Sequence, residues 1–497
     1  MQHLQINNLT FKYQDIDIFT NLNLSFQPFS WNCIVGNNGS GKTTLLKLIA
    51  KKIKLESGNI IGNELVYYCQ QNLDKTPECF EEFIYTFNSK TFKLKELLHI
   101  QDEWFYRWET LSYGEKKRVQ IAIALYQEID VLLLDEPTNH LDYKSKNIVL
   151  EALKSFRGIG ILVSHDREIL NTLCTNTVII KNQNVYFYKS NYDTAIKELN
   201  QYRSFLQKEN ENINKELKKL QKNIQTQKEK VSLSKSRLSK KSIDKNDKDS
   251  KEKINLAKLT GKDKNDSKLV TTFSKKYEEQ ISKRNEIDKE FEKGIKIENN
   301  ISKKDLFSFY LEEGSLKLSQ EKTLYYPSLT INSTDKIAIV GDNGVGKSSF
   351  LKHIISKIDL NNNYLYLPQE IEENQIEKLY EEIDSFDNNK KGLLFTFVRR
   401  LASNPKNLLE NRLSSPGEIR KLFIAKALLE NISLIILDEP TNHMDIDSIE
   451  AIEKALLVYE KTLIVVSHDK TFIKNLNLEI WNINKKNNKN FFIVKSM

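Results

Sequence analysis

Two kinds of hydrophobic pattern alternate along this chain, and the alternation occurs twice. Near the amino terminus, Leu4-Gln5-Ile6 and Leu22 to Phe26 alternate apolar and polar positions, as half-buried strands do. A short apolar stretch, Cys33 to Val35, precedes a helical one, Leu45 to Ile49, and a strand is expected over Leu65 to Tyr68. Val131 to Leu134 and Ile159 to Val163 are apolar at nearly every position. Such runs, bounded by turn residues, predict parallel strands buried on both faces. Tyr364 to Leu367, Leu434 to Leu437 and Leu463 to Val466 repeat the order in the second half.

The middle of the chain reads differently. Ile213, Leu217, Leu220, Ile224 and Val231 follow a 4-3-4-7 spacing, which predicts a coiled-coil seam. Tyr277, Ile281, Ile287 and Phe291 can supply the opposing stripe. Between them, residues 239–268 are rich in Ser, Lys, Asp and Asn and contain Thr260-Gly261-Lys262, which predicts a tip with a turn and a short helix near 251–259. An antiparallel helical hairpin follows, its first helix running from about Tyr192 to Leu238 and spanning roughly 60–70 Å at 1.5 Å per residue. The expected architecture is α/β, two tandem domains (1–195 and 299–497) joined by a long α-helical hairpin linker (196–298).

The chemistry lies at the ends of the apolar runs. Gly36, Asn37, Gly39, Ser40, Gly41, Lys42, Thr43 and Thr44 fall in or beside a G-x-x-x-x-G-K-[ST] loop between a strand and a helix. Gly341, Asn343, Gly344, Val345, Gly346, Lys347, Ser348 and Ser349 form its second copy. Glycines let backbone N–H groups surround phosphate oxygens, the lysine reaches the β/γ-phosphates, and the hydroxyl holds Mg²⁺. Val131 to Leu134 runs into Asp135-Glu136-Pro137-Thr138-Asn139-His140-Leu141-Asp142, and Leu434 to Leu437 into Asp438-Glu439-Pro440-Thr441-Asn442-His443-Met444-Asp445. Ser164-His165-Asp166 and Ser467-His468-Asp469 end the next strands. Gly114 to Asp135 and Gly417 to Asp438 both span 21 positions, and Glu136 to His165 and Glu439 to His468 both span 29. Lys42 to Asp135 is 93 and Lys347 to Asp438 is 91. An ordered set of motifs repeated nearly in register is a duplication, here of a P-loop nucleotide-binding domain. Phosphoryl transfer requires positive charge over the phosphates, a metal and an oriented water. Lys42, Thr43 and Asp135 with Mg²⁺, Glu136 and His165 supply that set.

Composition changes the picture in one respect. The net charge is +8, and residues 201–300 alone hold 27 Lys and Arg against 17 Asp and Glu, so the linker carries the excess. A polyanionic partner is one reading and a solvated Lys-rich helix the other. No run of about 18 apolar residues is present to span a membrane. The amino-terminal Met-Gln-His-Leu-Gln lacks a leader pattern, and Cys33, Cys69, Cys79 and Cys174 form no C-x-x-C pair, so a cytoplasmic, reduced protein is expected.

These motifs resemble the ATP-binding cassette (ABC) family over both halves. The resemblance implies that Ser112, Gly114 and Glu115, and Ser415, Gly417 and Glu418, form the signature motif. Asp135 and Asp438 would be the Mg²⁺-linked acids. Glu136 and Glu439 would be the catalytic carboxylates, and His165 and His468 the switch histidines. Gln70 and Gln369 would be Q-loop residues that help hold Mg²⁺, and Tyr13 the aromatic on adenine. Head-to-tail pairing would place Lys42, Glu136 and His165 opposite Ser415 and Gly417, and Lys347, Glu439 and His468 opposite Ser112 and Gly114, within a monomer. Tyr113 and Pro416 replace the usual first signature glycine. Ser319 falls where a second adenine-stacking aromatic is expected, so unequal turnover at the two sites is expected.

Two tandem cassettes with a charged helical linker and no membrane domain resemble the ABC-F translation factors. Lys42 to Ser112 spans 70 positions and Lys347 to Ser415 spans 68, leaving no room for an extra arm in the first cassette. The chain stops 29 residues after His468, so no long C-terminal extension is expected. Both features, with the tip sequence from Arg237 to Lys262, resemble the antibiotic-resistance (ribosomal protection) branch of Firmicute type. That resemblance implies ATP-dependent insertion of the linker into the ribosomal E site toward the peptidyl-transferase centre, and displacement of drugs such as lincosamides, pleuromutilins and streptogramin A. Large-subunit rRNA and P-site tRNA would be the partners, contacted through Lys235, Arg237, Lys240, Lys241 and Lys245. Two alternatives stay open: a housekeeping ABC-F factor acting on P-site tRNA without a drug role, and a non-ribosomal soluble ABC ATPase.

Overall fold

The computed structural model describes residues 3–13, 16–62, 64–73, 75–139, 141–181, 184–237, 262–288, 308–358, 364–403, 405, 408, 415–487 and 489–495. Contacts divide the chain into two compact units, 1–195 together with 294–497, and 196–293.

The larger unit holds the duplication. In its first half, parallel strands run in the order Val66–Cys69, Val131–Asp135, Ile159–Val163, Trp31–Gly36, Asn176–Lys181, with Asn184–Tyr188 antiparallel at the edge. The second half repeats this order with Tyr364–Leu367, Leu434–Asp438, Thr462–Val466, Lys336–Val340, Glu479–Lys485 and antiparallel Asn490–Lys495. Val131–Asp135, Ile159–Val163, Leu434–Asp438 and Thr462–Val466 are buried at every position, as their continuous apolar sequence predicts. In each half the phosphate-loop strand, the strand ending in Asp-Glu and the strand before Ser-His-Asp lie side by side. Their carboxyl ends therefore open on one crevice, the usual place for ligands in such sheets.

The halves differ at their margins. Leu4–Tyr13 pairs with Ile16–Phe26 and Ser57–Ile61 in a separate antiparallel sheet. Its inward residues, among them Leu4, Ile6 and Phe26, pack into one core with Leu45 and Ile49 of the helix after the loop. In the second half, Thr323–Tyr326 hydrogen-bonds in parallel to Asn490–Lys495 and brings Gly314–Lys317 with it, widening the main sheet to eight strands.

The smaller unit contains most of the helix Tyr192–Arg237 and the helix Lys262–Asp288. Forty-six residues make the first helix about 70 Å long. Its least exposed positions include Ile213, Leu217, Leu220, Ile224 and Val231, the expected seam. Tyr277 and Ile281 are likewise half-buried. The second helix starts at Lys262, inside the stretch assigned to the tip. Lys235 and Arg237 fall in the last turns of the first helix. Lys240, Lys241, Lys245, Phe291 and the helix expected near 251–259 lie outside the described residues. Among the described residues, no helix is long and apolar enough to cross a membrane.

Candidate active site

Each phosphate loop closes over its own lysine. Lys42 Nζ donates to the carbonyls of Gly36 (2.8 Å) and Asn37 (3.0 Å), and Lys347 Nζ to those of Gly341 (2.9 Å) and Asp342 (3.0 Å). Burial lowers the pKa of both ammoniums. Gly41 and Gly346 start the following helices with φ of 93° and 96°, where a side chain would be strained. A Cβ at Gly41 would also meet Ile18 at 2.5 Å, and one at Gly346 would meet Leu318 at 2.5 Å. Ile18 with Phe19, and Leu318, are therefore the side chains seated on the two loops. Tyr13 stands at the end of its hairpin, 45% exposed and edge-on to Phe11 at 5.1 Å. No described contact brings Tyr13 to the loop.

The acidic strand ends face the loops. Thr43 Oγ1 donates to Asp135 Oδ1 (3.3 Å), and Tyr68 donates to Asp135 Oδ2 (2.9 Å). Ser348 hydrogen-bonds Asp438 in the same way, while Asp438 Oδ1 is buried with no hydrogen-bond partner. A divalent cation beside nucleotide phosphates takes hard oxygen donors with free lone pairs. Asp438 and Ser348 fit such an ion, and Asp135 and Thr43 form the matching pair. No group of three or more His, Cys, Asp or Glu is placed to hold a metal ion among the described residues, so an ion here would rely on substrate phosphates and water for its other ligands.

Glu136 and Glu439 occupy the next positions, both with φ of 48°, a conformation a non-glycine residue adopts only under constraint. The constraint is a backbone bond, from Glu136 N to Val163 O (2.9 Å) and from Glu439 N to Val466 O (2.8 Å). Each carboxylate then turns under the histidine loop. His165 N donates to Glu136 Oε2 (3.3 Å) and His468 N to Glu439 Oε2 (3.4 Å), leaving Oε1 of both glutamates buried without a hydrogen bond. Burial pushes the Glu439 carboxyl up to about 7 and raises Glu136 in the same direction. Burial pushes both histidines down to about 3, so the imidazoles are neutral at physiological pH. His468 Nε2 lies 3.0 Å from both Lys347 Nζ and Asn343 Oδ1, tying the second histidine to its phosphate loop.

Gln70 and Gln369 follow their strands, and their carbonyls are held by buried cations of the signature helices. Lys117 Nζ donates to Gln70 O (2.6 Å), and Arg420 donates to Gln369 O and to Glu439 O. Neither cation was singled out in the sequence, because a basic residue inside a charged run looks solvated. At the signature, the Ser112 hydroxyl caps its helix and Glu115 Oε2 accepts from Ser112 N (2.8 Å). Ser415 caps the helix that begins at Pro416, a position that suits proline because its missing N–H would be unpaired there anyway. Glu115 thus closes a capping box and Glu418 pairs with Lys421. Tyr113 is accommodated by donating to Gln71 O (2.6 Å).

The two halves meet at these motifs. A cavity of about 760 Å³ is walled on one side by Ser112, Tyr113 and Gly114 and on the other by Lys347, Glu439 and His468. Gln369, Ser349, Leu318 and Ser319 also line it. On the other side of the pair, Asn38 N donates to Asp445 Oδ2 (2.8 Å) and Asn38 Nδ2 to His443 O (3.2 Å). Gly417 lies against His443, where a Cβ would come within 2.9 Å of its carbonyl. The Asp445 contact is reciprocal: Asp142 accepts from Asn343 N, and both aspartates also cap their own helices through Ser145 N and Ser448 N (2.8 Å each). Burial opposes ionisation of both carboxyls, but the amide hydrogen bonds outweigh it and hold them below the usual range. The bond across the interface carries no local signal in the sequence.

Comparison with known proteins adds relatives of nearly the whole chain. The ABC transporter family profile matches residues 19–139 and 324–442. Erythromycin resistance ATP-binding protein MsrA of Staphylococcus epidermidis is 30% identical over 502 residues, covering 97% of this chain and 97% of that protein. Ribosome protection protein VmlR of Bacillus subtilis (strain 168) is 28% identical over 480 residues, covering 94% of this chain and 84% of that protein. Among solved structures, the archaeal ribosome recycling factor aABCE1, in complex with the ribosomal stalk protein aP1, superposes with a TM-score of 0.60 at 19% identity. It covers 98% of this chain and 89% of that one, a likeness of fold.

Proposed function

Because the chain belongs to the ABC-F family of ATP-binding cassette ATPases, we propose that it is a ribosome protection protein that displaces bound antibiotics. The observation that carries this reading is the match to VmlR and MsrA along almost the full length, linker included. The chain is an ATPase and ATP is its substrate. One ATP lies between Lys347 and the signature Ser112 and Gly114, the other between Lys42 and Ser415 and Gly417. Lys42 and Lys347 leave the loop carbonyls to meet the β/γ-phosphates. Thr43 and Asp135, Ser348 and Asp438, with Gln70 and Gln369, would hold Mg²⁺, which would supply positive charge to the phosphate oxygens. Glu136 and Glu439 orient the attacking water and accept its proton, and neutral His165 and His468 hydrogen-bond the γ-phosphate side. A buried carboxyl whose pKa lies near neutrality suits that proton transfer.

ATP binding pairs the cassettes and sets the hairpin linker in the shape that enters the ribosomal E site. Lys235, Arg237, Lys240, Lys241 and Lys245 then contact rRNA or P-site tRNA, gaining affinity from phosphate neutralisation without reading sequence. Hydrolysis releases the protein. The test is to trap ATP with Glu136→Gln plus Glu439→Gln and sediment the protein with ribosomes. Co-sedimentation that depends on ATP is expected, and its absence overturns the reading. Expression in a sensitive host is expected to raise the inhibitory concentration of lincosamides or pleuromutilins. Ribosome binding without that rise would assign the chain to the housekeeping branch instead.

A further inference from the structure

The two nucleotide sites share their motifs, yet their charges differ where the cassettes meet. His165 and His468 are 303 positions apart, as are Asp142 and Asp445, so interface residues of one cassette have counterparts in the other at that offset. Asp166 and Asp469 match each other, whereas Lys146 has Ile449 as its counterpart. Lys146 lies one turn into the helix Tyr143–Lys154 that Asp142 caps. Its ammonium is 2.6 Å from Asp166 Oδ2, and its side chain is 19% exposed. It lines the cavity around Lys347, together with Glu439, His468 and Asp469 of the opposite cassette. Burial opposes its charge, but Asp166, Asp469 and Glu439 outweigh that and raise its pKa. Arg167, the next cation from the first cassette, is occupied by Glu453 and Asp469. Its counterpart Lys470 lies over the Tyr143 ring at 3.3 Å. Ile449 is buried and belongs to the apolar core of the second cassette.

We propose that Lys146 is a positioning residue of the second nucleotide site, supplied across the interface by the first cassette, and that the first site has no equivalent among the described residues. Asp166 anchors the ammonium, which orients the Glu439 carboxylate and places positive charge beside the departing phosphate. In the step it assists, a water oxygen bonds to the γ-phosphorus and the bond from that phosphorus to the bridging oxygen breaks. The ADP oxygen keeps the electron pair, and the water proton passes to Glu439. Site inequality then originates in one lysine, in addition to any difference in adenine stacking. The proposal rests on Glu136 and Glu439 being the carboxylates of the two sites.

The test uses the full chain and steady-state ATP hydrolysis. Glu136→Gln confines turnover to the second site and Glu439→Gln to the first. Lys146→Ile installs the side chain of the counterpart position. In the Glu136→Gln background it is expected to lower kcat about tenfold while KM for ATP changes less than about twofold. In the Glu439→Gln background kcat is expected to stay within about twofold. Lys146→Arg keeps the charge and is expected to restore most of the turnover. Equal losses in both backgrounds mean that Lys146 merely holds the interface together, and overturn the proposal; so does no loss in either. If Glu136→Gln and Glu439→Gln themselves leave hydrolysis unchanged, the assignment of the two carboxylates fails, and the proposal with it.

Discussion

Removing Glu453 tests whether the two cassettes are clamped by a buried charge. Arg167 reaches from the first cassette and meets both oxygens of Glu453 in the second, with the two side chains 7% and 6% exposed. Glu453 also accepts from Asn475 Nδ2 at 2.9 Å, and Asp469 lies 3.7 Å from the guanidinium. Deleting one partner of a buried ion pair costs about 3–5 kcal/mol, because the other charge stays behind without compensation. Here Asp469 retains part of the interaction, so Glu453→Ala is expected at the lower end, about 3 kcal/mol. If that cost falls on cassette closure alone, the closed state loses about a hundredfold in population ratio. Urea unfolding midpoints and the ATP concentration for half-maximal hydrolysis would both be measured. The double variant Arg167→Leu plus Glu453→Leu removes both members of the pair, leaves only Asp469 without its guanidinium, and is expected to recover part of the loss. A Glu453→Ala effect under about 0.5 kcal/mol would refute the reasoning, since exposed pairs are worth no more than that order. A double variant as unstable as the single one would refute it equally.

Other outcomes follow from individual contacts. Gly41→Ala combines a φ of 93° with a 2.5 Å approach to Ile18 and is expected to abolish ATP binding at the first loop. Gly39→Ala, with a φ of 79° and open space around it, is expected to cost only about 1 kcal/mol in thermal unfolding. Asp445→Asn removes the charge that accepts from Asn38 N and is expected to weaken ATP-dependent pairing by about 1 kcal/mol, seen as a raised half-saturation in ATP titration. Burial holds the Glu450 carboxyl above its ordinary range, with Asp447 adding to the shift against Lys454. The native state therefore binds this proton more tightly than the unfolded chain, and stability falls as pH rises from the unfolded to the folded pKa. Glu450→Gln should unfold at higher urea than the parent at pH 8 and at the same urea at pH 4. An equal gain at both pH values would contradict the assignment.

The cassette cores were legible in the sequence. Runs such as Val131 to Leu134 must be buried on both faces, and hydrophobic burial depends on local composition, so their strands and the motifs at their ends could be located without a structure. The register of the repeat, 21 and 29 positions in both copies, likewise carried the pairing of Glu136 with His165 and of Glu439 with His468. Elsewhere the local pattern was insufficient. Glu115, expected as a nucleotide contact, also closes a helix cap, and its spacing from Ser112 does not separate the two roles. That Ile18 and Phe19 face Gly41 was decided by the register of the hairpin, which no local signal gives. Thr323–Tyr326 joins the main sheet through Asn490–Lys495, a partner far along the chain that no local pattern marks.

What the sequence determined by itself is which apolar strands are buried and which chemistry each strand end carries. Those properties follow from side-chain transfer out of water and from backbone preferences, both local. The tertiary structure alone decided that Asp142 accepts from Asn343, that Asp445 accepts from Asn38, that Arg167 meets Glu453, and that Lys146 rather than an isoleucine faces the second site. Each partner lies hundreds of residues away in the chain. A charge carries no mark of the charge it will neutralise, and only the packing of the two cassettes selects the pair.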